Sequence, residues 1–499
     1  MRADALKAAA AAVVILAMAL AAVSFLPVDA ETATVDGIEY ELKEGGGVRS
    51  AIVTSASIGS MSGDVSIPSY IEHGGKSYAV TGLAKTLRNN SAVTSVSLPP
   101  TLTSVDAYCF SGCSSLKSVT MDGVLSIPSQ CFSKCASLKS VHASSAVSVG
   151  GNAFDGCSSL SDLVIGTPES VSDYAFRGCS SLKSFEVDDR TVLGTAPFAN
   201  SGIEDPIVCA GLLVYVPSDV GNFTIPSEVS TIGAGAFYGV ALDSLRVPGT
   251  VLTVSDYGFY CSKIRSIEFD PKVAGIGNYV FADAASNSSV LENVVLPTAI
   301  TYIGEGAFQN CSSLKTIDIP KEIAMIDTDA FNKCTALESV TIRSPTLFGD
   351  TVFSGCSSLK SFAFPEGCVA GTGMFRECRS LESVELCDSI TDIPDYMFYK
   401  CPKMTAFEIP GQVKAIGKYA LSESAITEIT IPSTLDPYGI DKHAFRACAS
   451  LSKVTFMGSL VNIPEYCFFG CKSLKTMDIC GMVKVSNGNA FNNCVSLKE

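Results

Sequence analysis

The sequence predicts an α/β solenoid of about 17 repeats of 22–23 residues, with a parallel β-sheet on one face and short helical turns on the other. Three observations predict it. A phenylalanine recurs at near-constant spacing, from Phe110, Phe132, Phe154 and Phe176 to Phe491, with Leu421 standing in its place once. Twelve cysteines, beginning with Cys113, Cys135, Cys157 and Cys179, each fall three residues after that anchor. After a repeat leucine, apolar and polar residues alternate with the period of a strand, as in "LKTIDIP" at 314–320. Stacked repeats share one continuous core, so 499 residues do not imply three separate domains.

Residues 1–30 read as a signal peptide. Arg2 and Lys7 precede the apolar run 8–26, and "PVDA" sets Val28 and Ala30 at the −3 and −1 positions of a cleavage site before Glu31. Nineteen apolar residues are also just long enough to anchor in a bilayer, so cleavage and retention are the two alternatives. Either places the rest of the chain outside the cytoplasm, and cleavage leaves no tight membrane insertion. The segment carries two bases and two acids, so the net charge stays at −15 without it.

Residues 31–92 do not keep the period. "ATVDGIEYELKEGG" and "GDVSIPSYIEHGGKSYAVTGL" suit short strands and hairpin turns, an N-terminal capping region over the first repeat's apolar edge. The repeats occupy 93–499. In each, proline closes the leucine strand, because it cannot donate to a ladder hydrogen bond. A second apolar step follows, as in "SVDAYCF", and the "AF…C" segment reads as a tight helical turn into the next strand. Residues 201–222, with "IVCAGLLVYVP", form an irregular insertion that suggests an extra hairpin. The sequence stops at "CVSLKE", in the middle of a repeat, where an uncovered apolar edge calls for further chain or another molecule.

These segments resemble the BspA-type leucine-rich repeat of microbial and protist surface proteins, above all "IPSEVSTIGAGAFYG" at 225–239 and "LPTAITYIGEGAFQNCSSLKTIDIP" at 296–320. The resemblance implies a leucine-rich-repeat superhelix over more than four fifths of the chain. It further implies an adhesin-like secreted or cell-surface protein that engages host matrix proteins, host cells or other microbes. A structural cell-envelope repeat or spacer is the alternative.

Twenty cysteines in an exported protein raise the question of disulfides. In-register side chains on strands about 4.8 Å apart keep their Cβ atoms farther apart than the roughly 3.8 Å a disulfide prefers. The twelve anchor-spaced cysteines therefore read as a ladder of buried thiols filling the core. Cys109/Cys113, Cys131/Cys135 and Cys467/Cys471 are C-x3-C pairs, for which zinc and a Cys109–Cys131 disulfide stand as alternatives. The position before the anchor is alanine ahead of seven other anchor phenylalanines, which favours a small buried slot.

The composition narrows function. A net charge of −15 disfavours nucleic acid and anionic membranes as partners. His73, His142 and His443 lie far apart, and no nucleophile elbow, zincin motif, P-loop or dinucleotide fingerprint occurs, so neither a reaction nor a cofactor is expected. The outward strand positions are more informative. Lys117, Lys139, Lys183, Arg265, Lys315, Lys360 and Lys475 follow the repeat leucine, and Glu186, Glu268, Asp318, Glu385, Glu408 and Asp478 sit farther along the strand. These rows are the candidate face for a protein or glycan partner, or simply a solvated face. A second row, two residues before the anchor, holds Tyr108, Tyr174, Tyr257, Tyr279, Tyr396, Tyr419 and Tyr466, residues suited to interfaces and to stacking on sugars, or simply ordinary half-buried residues of the convex side.

Overall fold

A computed structural model describes residues 31–45, 47–54, 61–84, 87–284, 288–458, 460–485 and 488–498; the expected signal peptide lies outside them. The chain opens with β1 (Glu31–Val35), β2 (Ile38–Gly45), β3 (Val48–Val53), β4 (Gly63–Ser66), β5 (Tyr70–His73) and β6 (Lys76–Leu83). Five of them form a sheet in the order β1-β2-β3-β6-β5. It joins the repeats directly. β4 pairs in parallel with β7 (Val93–Ser97), and β6 with β8 (Ser104–Val105).

From β7 onward each rung has the same plan, shown by the one that begins at Leu116. Ser118–Thr120 is a three-residue strand with Val119 buried between two more open neighbours. The chain turns at 121–125, and Ser126–Ile127 makes a second, two-residue strand. Both strands pair with their counterparts one repeat on, Ser118 with Ser140 and Ser126 with Ser148. The molecule therefore carries two parallel columns of strands, not one sheet. The short apolar step read from the sequence is the second column.

The turn side corrects an expectation. No helix occurs among the described residues, and "AF…C" is a run of hydrogen-bonded turns. Two positions per rung show why. The residue two before the anchor and the residue two after it have positive φ, as at Tyr108 (65°) and Gly112 (76°), or Gln130 (56°) and Lys134 (65°). An α-helix needs negative φ throughout and N–H groups bonded four residues back. Here the Cys109 and Cys113 N–H groups close three-residue turns onto Asp106 and Phe110, while those of Tyr108, Phe110 and Gly112 donate to Ser129, Cys131 and Ser133 of the next rung. Bonds that a helix would spend internally run between repeats. Glycine suits the second positive-φ position because it lacks Cβ.

Inside, the anchors stack. Phe110, Phe132, Phe154 and Phe176 are fully buried, with ring centroids 5.1–5.2 Å apart and planes within 12°. The same stack resumes from Phe237 to Phe398 and again from Phe445 to Phe491. The cysteines do more than fill space. Cys135 Sγ donates to the Phe110 carbonyl at 2.9 Å, Cys157 to Phe132 at 3.1 Å and Cys179 to Phe154 at 3.2 Å. All twelve anchor-spaced thiols donate one rung back in this way, Cys113 to Leu87 included. Each gives a buried carbonyl a partner that an aliphatic side chain could not supply. All twenty cysteines carry free thiols.

The interruption at 201–222 contains an antiparallel hairpin, Ile207–Cys209 with Leu212–Tyr215. Leu212 and Leu213 then pair in parallel with Thr231 and Ile232, so regular stacking restarts from its second strand. The buried core divides at this strand: Val214 and Tyr215 pack with the preceding rungs and Leu213 with the following ones. Tyr215 meets Phe198, and Phe223 meets Phe237, edge to face where the stack is broken.

Three outcomes are expected. Phe308→Ala should destabilise the fold by about 3–5 kcal/mol, read from urea unfolding followed by circular dichroism. Iodoacetamide should label exposed Cys480 and half-buried Cys261 and Cys387 in the native chain; the 17 buried cysteines should react only after unfolding, as mapped by mass spectrometry. Burial pushes the Cys179 and Cys401 thiols up to about 12 and holds Cys131, Cys334 and Cys378 well above their ordinary value. Raised in the folded state, these groups stabilise it fully below about pH 8.5 and progressively less as pH rises toward 12. Unfolding under reducing conditions should show stability falling by about 1.4 kcal/mol per pH unit per thiol in that window. Cys401→Ala should flatten the slope by one thiol's share.

Candidate binding face

The strand after each repeat leucine sets its own orientation. Leu116 and Val119 point inward and are fully buried, which turns Lys117 and Thr120 outward. Because the rungs stack in register, the residue after the leucine forms a straight column and the residue three further on a second. All the basic residues named from the sequence, Lys117, Lys139, Lys183, Arg265, Lys315, Lys360 and Lys475, are exposed there. So are Glu186, Glu268, Asp318, Glu385, Glu408 and Asp478 in the other column.

The columns are not each of one sign. Asp243, Glu292, Glu338 and Glu382 occupy the same column as Arg265, Lys315 and Lys360, and registration alternates the charges from Asp243 to Glu382. Arg265 lies 3.7 Å from Asp243 and 3.4 Å from Glu292. Reading only the basic members hid this alternation; reading the residue after every repeat leucine reveals it.

Three stretches result. Near the start, Lys117, Lys139 and Lys183 dominate. There Ser95 and Thr94 hydroxyls, then the Lys117 charge, hold the Asp64 carboxyl below its usual range. Lys183 pairs with Glu204 at 3.0 Å, and His142 Nε2 lies 3.2 Å from Asp162. The alternating stretch follows, with Asp318 also paired to Arg343. Beyond it Glu382, Glu385, Glu408 and Glu428 gather. Residues 405–409 form no strand, and a shallow hollow of about 540 Å³ opens there, lined by Ser383, Ala406, Phe407, Glu408, Glu428 and Thr430. Past the hollow, Lys453 bonds Asp478 at 2.7 Å, which raises the lysine's pKa through that hydrogen bond and the carboxylate's charge.

The three histidines do not converge. His73 faces Glu31 at 3.3 Å on the surface, and His443 lies in a stack of tyrosines on the turn side. Among the described residues, no group of three or more His, Cys, Asp or Glu is placed to hold a metal ion, so the C-x3-C pairs do not converge on one. No helix among them is long and apolar enough to cross a membrane. What the face offers is area, charge pattern and regular spacing.

The family model described as the BspA type Leucine rich repeat region matches in six copies, over residues 84–204, 215–290, 283–405 and 391–499. No curated protein matches the chain. Among solved structures, a leucine-rich repeat protein from Bacteroides ovatus is 19% identical, with 91% of this chain and 100% of that one covered and a TM-score of 0.40. A leucine rich cell surface protein from Faecalibacterium prausnitzii is 20% identical over 92% and 96%, TM-score 0.32. The pneumococcal vaccine antigen PcpA is 18% identical over 81% and 94%, TM-score 0.41.

If the alternating column works as a chain of surface ion pairs, Arg265→Glu should lower the melting temperature slightly at low ionic strength. The loss should vanish near 1 M salt, where the screening length is about 3 Å. Differential scanning calorimetry in a salt series checks this.

Proposed function

The chain belongs to the BspA type leucine-rich repeat family, and from that membership we propose that it is a secreted or cell-surface binding protein of adhesin-like character. Its partner is a protein or glycan on a host or microbial surface, and its working element is the exposed face of the leucine strands. The observation that carries this reading is the registered array of outward side chains on that face, whose basic stretch at Lys117, Lys139 and Lys183 stands out in a chain of net charge −15. With no tryptophan and few arginines, the face lacks the anchors of tight interfaces, so single contacts are weak and many must act together on a multivalent partner. We assign the chain no reaction and no cofactor. We also propose that residues 31–92 cap the first rung and that residues 1–30 direct export.

A structural repeat of the cell envelope, without a specific ligand, is the second reading. It is favoured by the alternating column, where opposite charges follow one another rung by rung and Arg265 is paired on both sides within the face itself.

The test is binding of the chain from Glu31 onward to immobilised matrix proteins, mucin and whole microbial cells across a salt series. Saturable binding to one class, reduced at least tenfold by Lys117→Glu, Lys139→Glu and Lys183→Glu together, is the expected result. Absence of binding by folded protein would leave the envelope repeat as the better account.

A further inference from the structure

The tyrosine row on the turn side remains unused by that reading. Its members sit at the first positive-φ position of each rung: Tyr174 at 54°, Tyr257 at 63°, Tyr396 and Tyr419 at 57°, Tyr466 at 58°. Other rungs fill the position with Gly235, Gly306 or Gly373, which take this backbone without penalty. A bulky aromatic there costs about 1–2 kcal/mol, and such outliers point toward function. The aromatic residues are also gathered. Tyr396, Tyr419, His443 and Tyr466 stack on successive rungs with centroids 4.5–5.1 Å apart and planes within 17°. The stack ends at Gly373, which has no ring to add.

Beside this stack runs the column one residue after the anchor: Arg376, Tyr399, Ser422, Arg446 and Phe469. Ser422 is small, fully buried, and donates its hydroxyl down to the Arg446 carbonyl at 2.8 Å. Its low profile between taller neighbours accompanies a hollow of about 390 Å³, lined by Arg376, Tyr396, Tyr399, Tyr419, Glu423 and Arg446. That volume lies within the roughly 300–1,000 Å³ of small-ligand sites. Cations outnumber carboxylates in the surroundings, with Glu377 lying 3.6 Å from Arg376. Arg376 and Lys400 lie over the Tyr399 ring at 5.5 and 5.0 Å, and Lys418 over Tyr419 at 5.6 Å. Burial, then Arg446 and Lys418, hold His443 below its ordinary pKa, so this imidazole is uncharged at neutral pH. Glu423 accepts the Tyr399 hydroxyl at 3.0 Å and is the acceptor within the hollow.

We propose that this hollow binds an acidic sugar residue, a uronic or sialic acid unit of a glycan. The guanidiniums of Arg376 and Arg446 match a carboxylate. The tyrosine rings offer apolar surface to a pyranose, with hydroxyl groups at their tips for its own hydroxyls. Glu423 accepts from a ring hydroxyl. A neutral sugar leaves the Arg446 guanidinium, which lies over the Phe469 ring, without a carboxylate, while Arg376 already has Glu377 at 3.6 Å; a nucleic acid meets the charge of the whole chain. The site lies on the turn side, apart from the strand face, and does not depend on the binding proposed there.

The experiment is isothermal titration of the chain from Glu31 onward with sialyllactose, a galacturonate oligomer, lactose and inorganic sulfate. The expected result is binding of at least one acidic oligosaccharide at least tenfold tighter than lactose or sulfate. Tyr399→Ala and Arg446→Gln, each half-buried at the rim of the hollow, should weaken it tenfold or more while circular dichroism shows the fold retained. The triple lysine reversal on the strand face should leave it untouched. Equal affinity for sulfate, equal affinity for lactose, no binding, or loss only in the lysine variant would each overturn the assignment.

Discussion

The structure depends on one constraint: the N–H groups of each turn must reach the carbonyls of the next rung. Tyr108, Phe110 and Gly112 donate forward at alternate residues, and the pattern repeats along the stack. Keeping alternate donors aimed along the axis requires the two positive-φ residues on either side of the anchor. With the backbone so placed, the anchor ring falls on the preceding ring at about 5 Å, and the residue three later hangs its side chain under the previous anchor's carbonyl. Phenylalanine and cysteine follow from the backbone geometry; they do not create it. The rung at Leu421 supports this order of cause. It has neither the ring nor the thiol, carrying Ser424 at the cysteine position, yet its turn bonds, Leu421 to Ala444 and Glu423 to Arg446, are intact.

The period, the leucine strand and the buried anchor were legible because each rests on hydrophobic spacing, which one chain displays many times over. The turn was not. "GNAFDGC" carries a small residue, an aromatic and a glycine in an order that also suits a short helix with its closing glycine, and only backbone angles tell them apart. Tyrosine at the first positive-φ position misled further, since that conformation is expected of glycine or asparagine. The second strand column was half legible: its apolar step was visible, but two residues are too few to announce a strand. On the candidate face the outward direction of Lys117 or Asp318 followed from strand alternation. The alternation of sign from Asp243 to Glu382 needed the register between rungs, which the hydrophobic pattern supplies only when every member of a column is read.

The two exposed sides differ in what they leave unanswered. Along the strand face, some charges are met by neighbours one rung away, as at Arg265 and Lys453. Specific recognition there rests on the stretches where one sign accumulates. The turn side is built the other way. Several of its cations lie over aromatic faces, and the rings of its tyrosine row are held in a costly backbone conformation. One scaffold thus presents two chemistries, because strand alternation and turn geometry obey different rules.

The forward-donating turn bonds also settle how the rod responds to load. They lie along its axis, as do the ladder bonds of both strand columns, so a pull on the two ends strains the rungs in series. The weakest rung yields first while its neighbours keep their own bonds. Each rung that lets go frees about 22 residues, lengthening the tether by about 70 Å. A molecule held at one end and dragged at the other would lengthen stepwise before breaking its hold, as a shock absorber does.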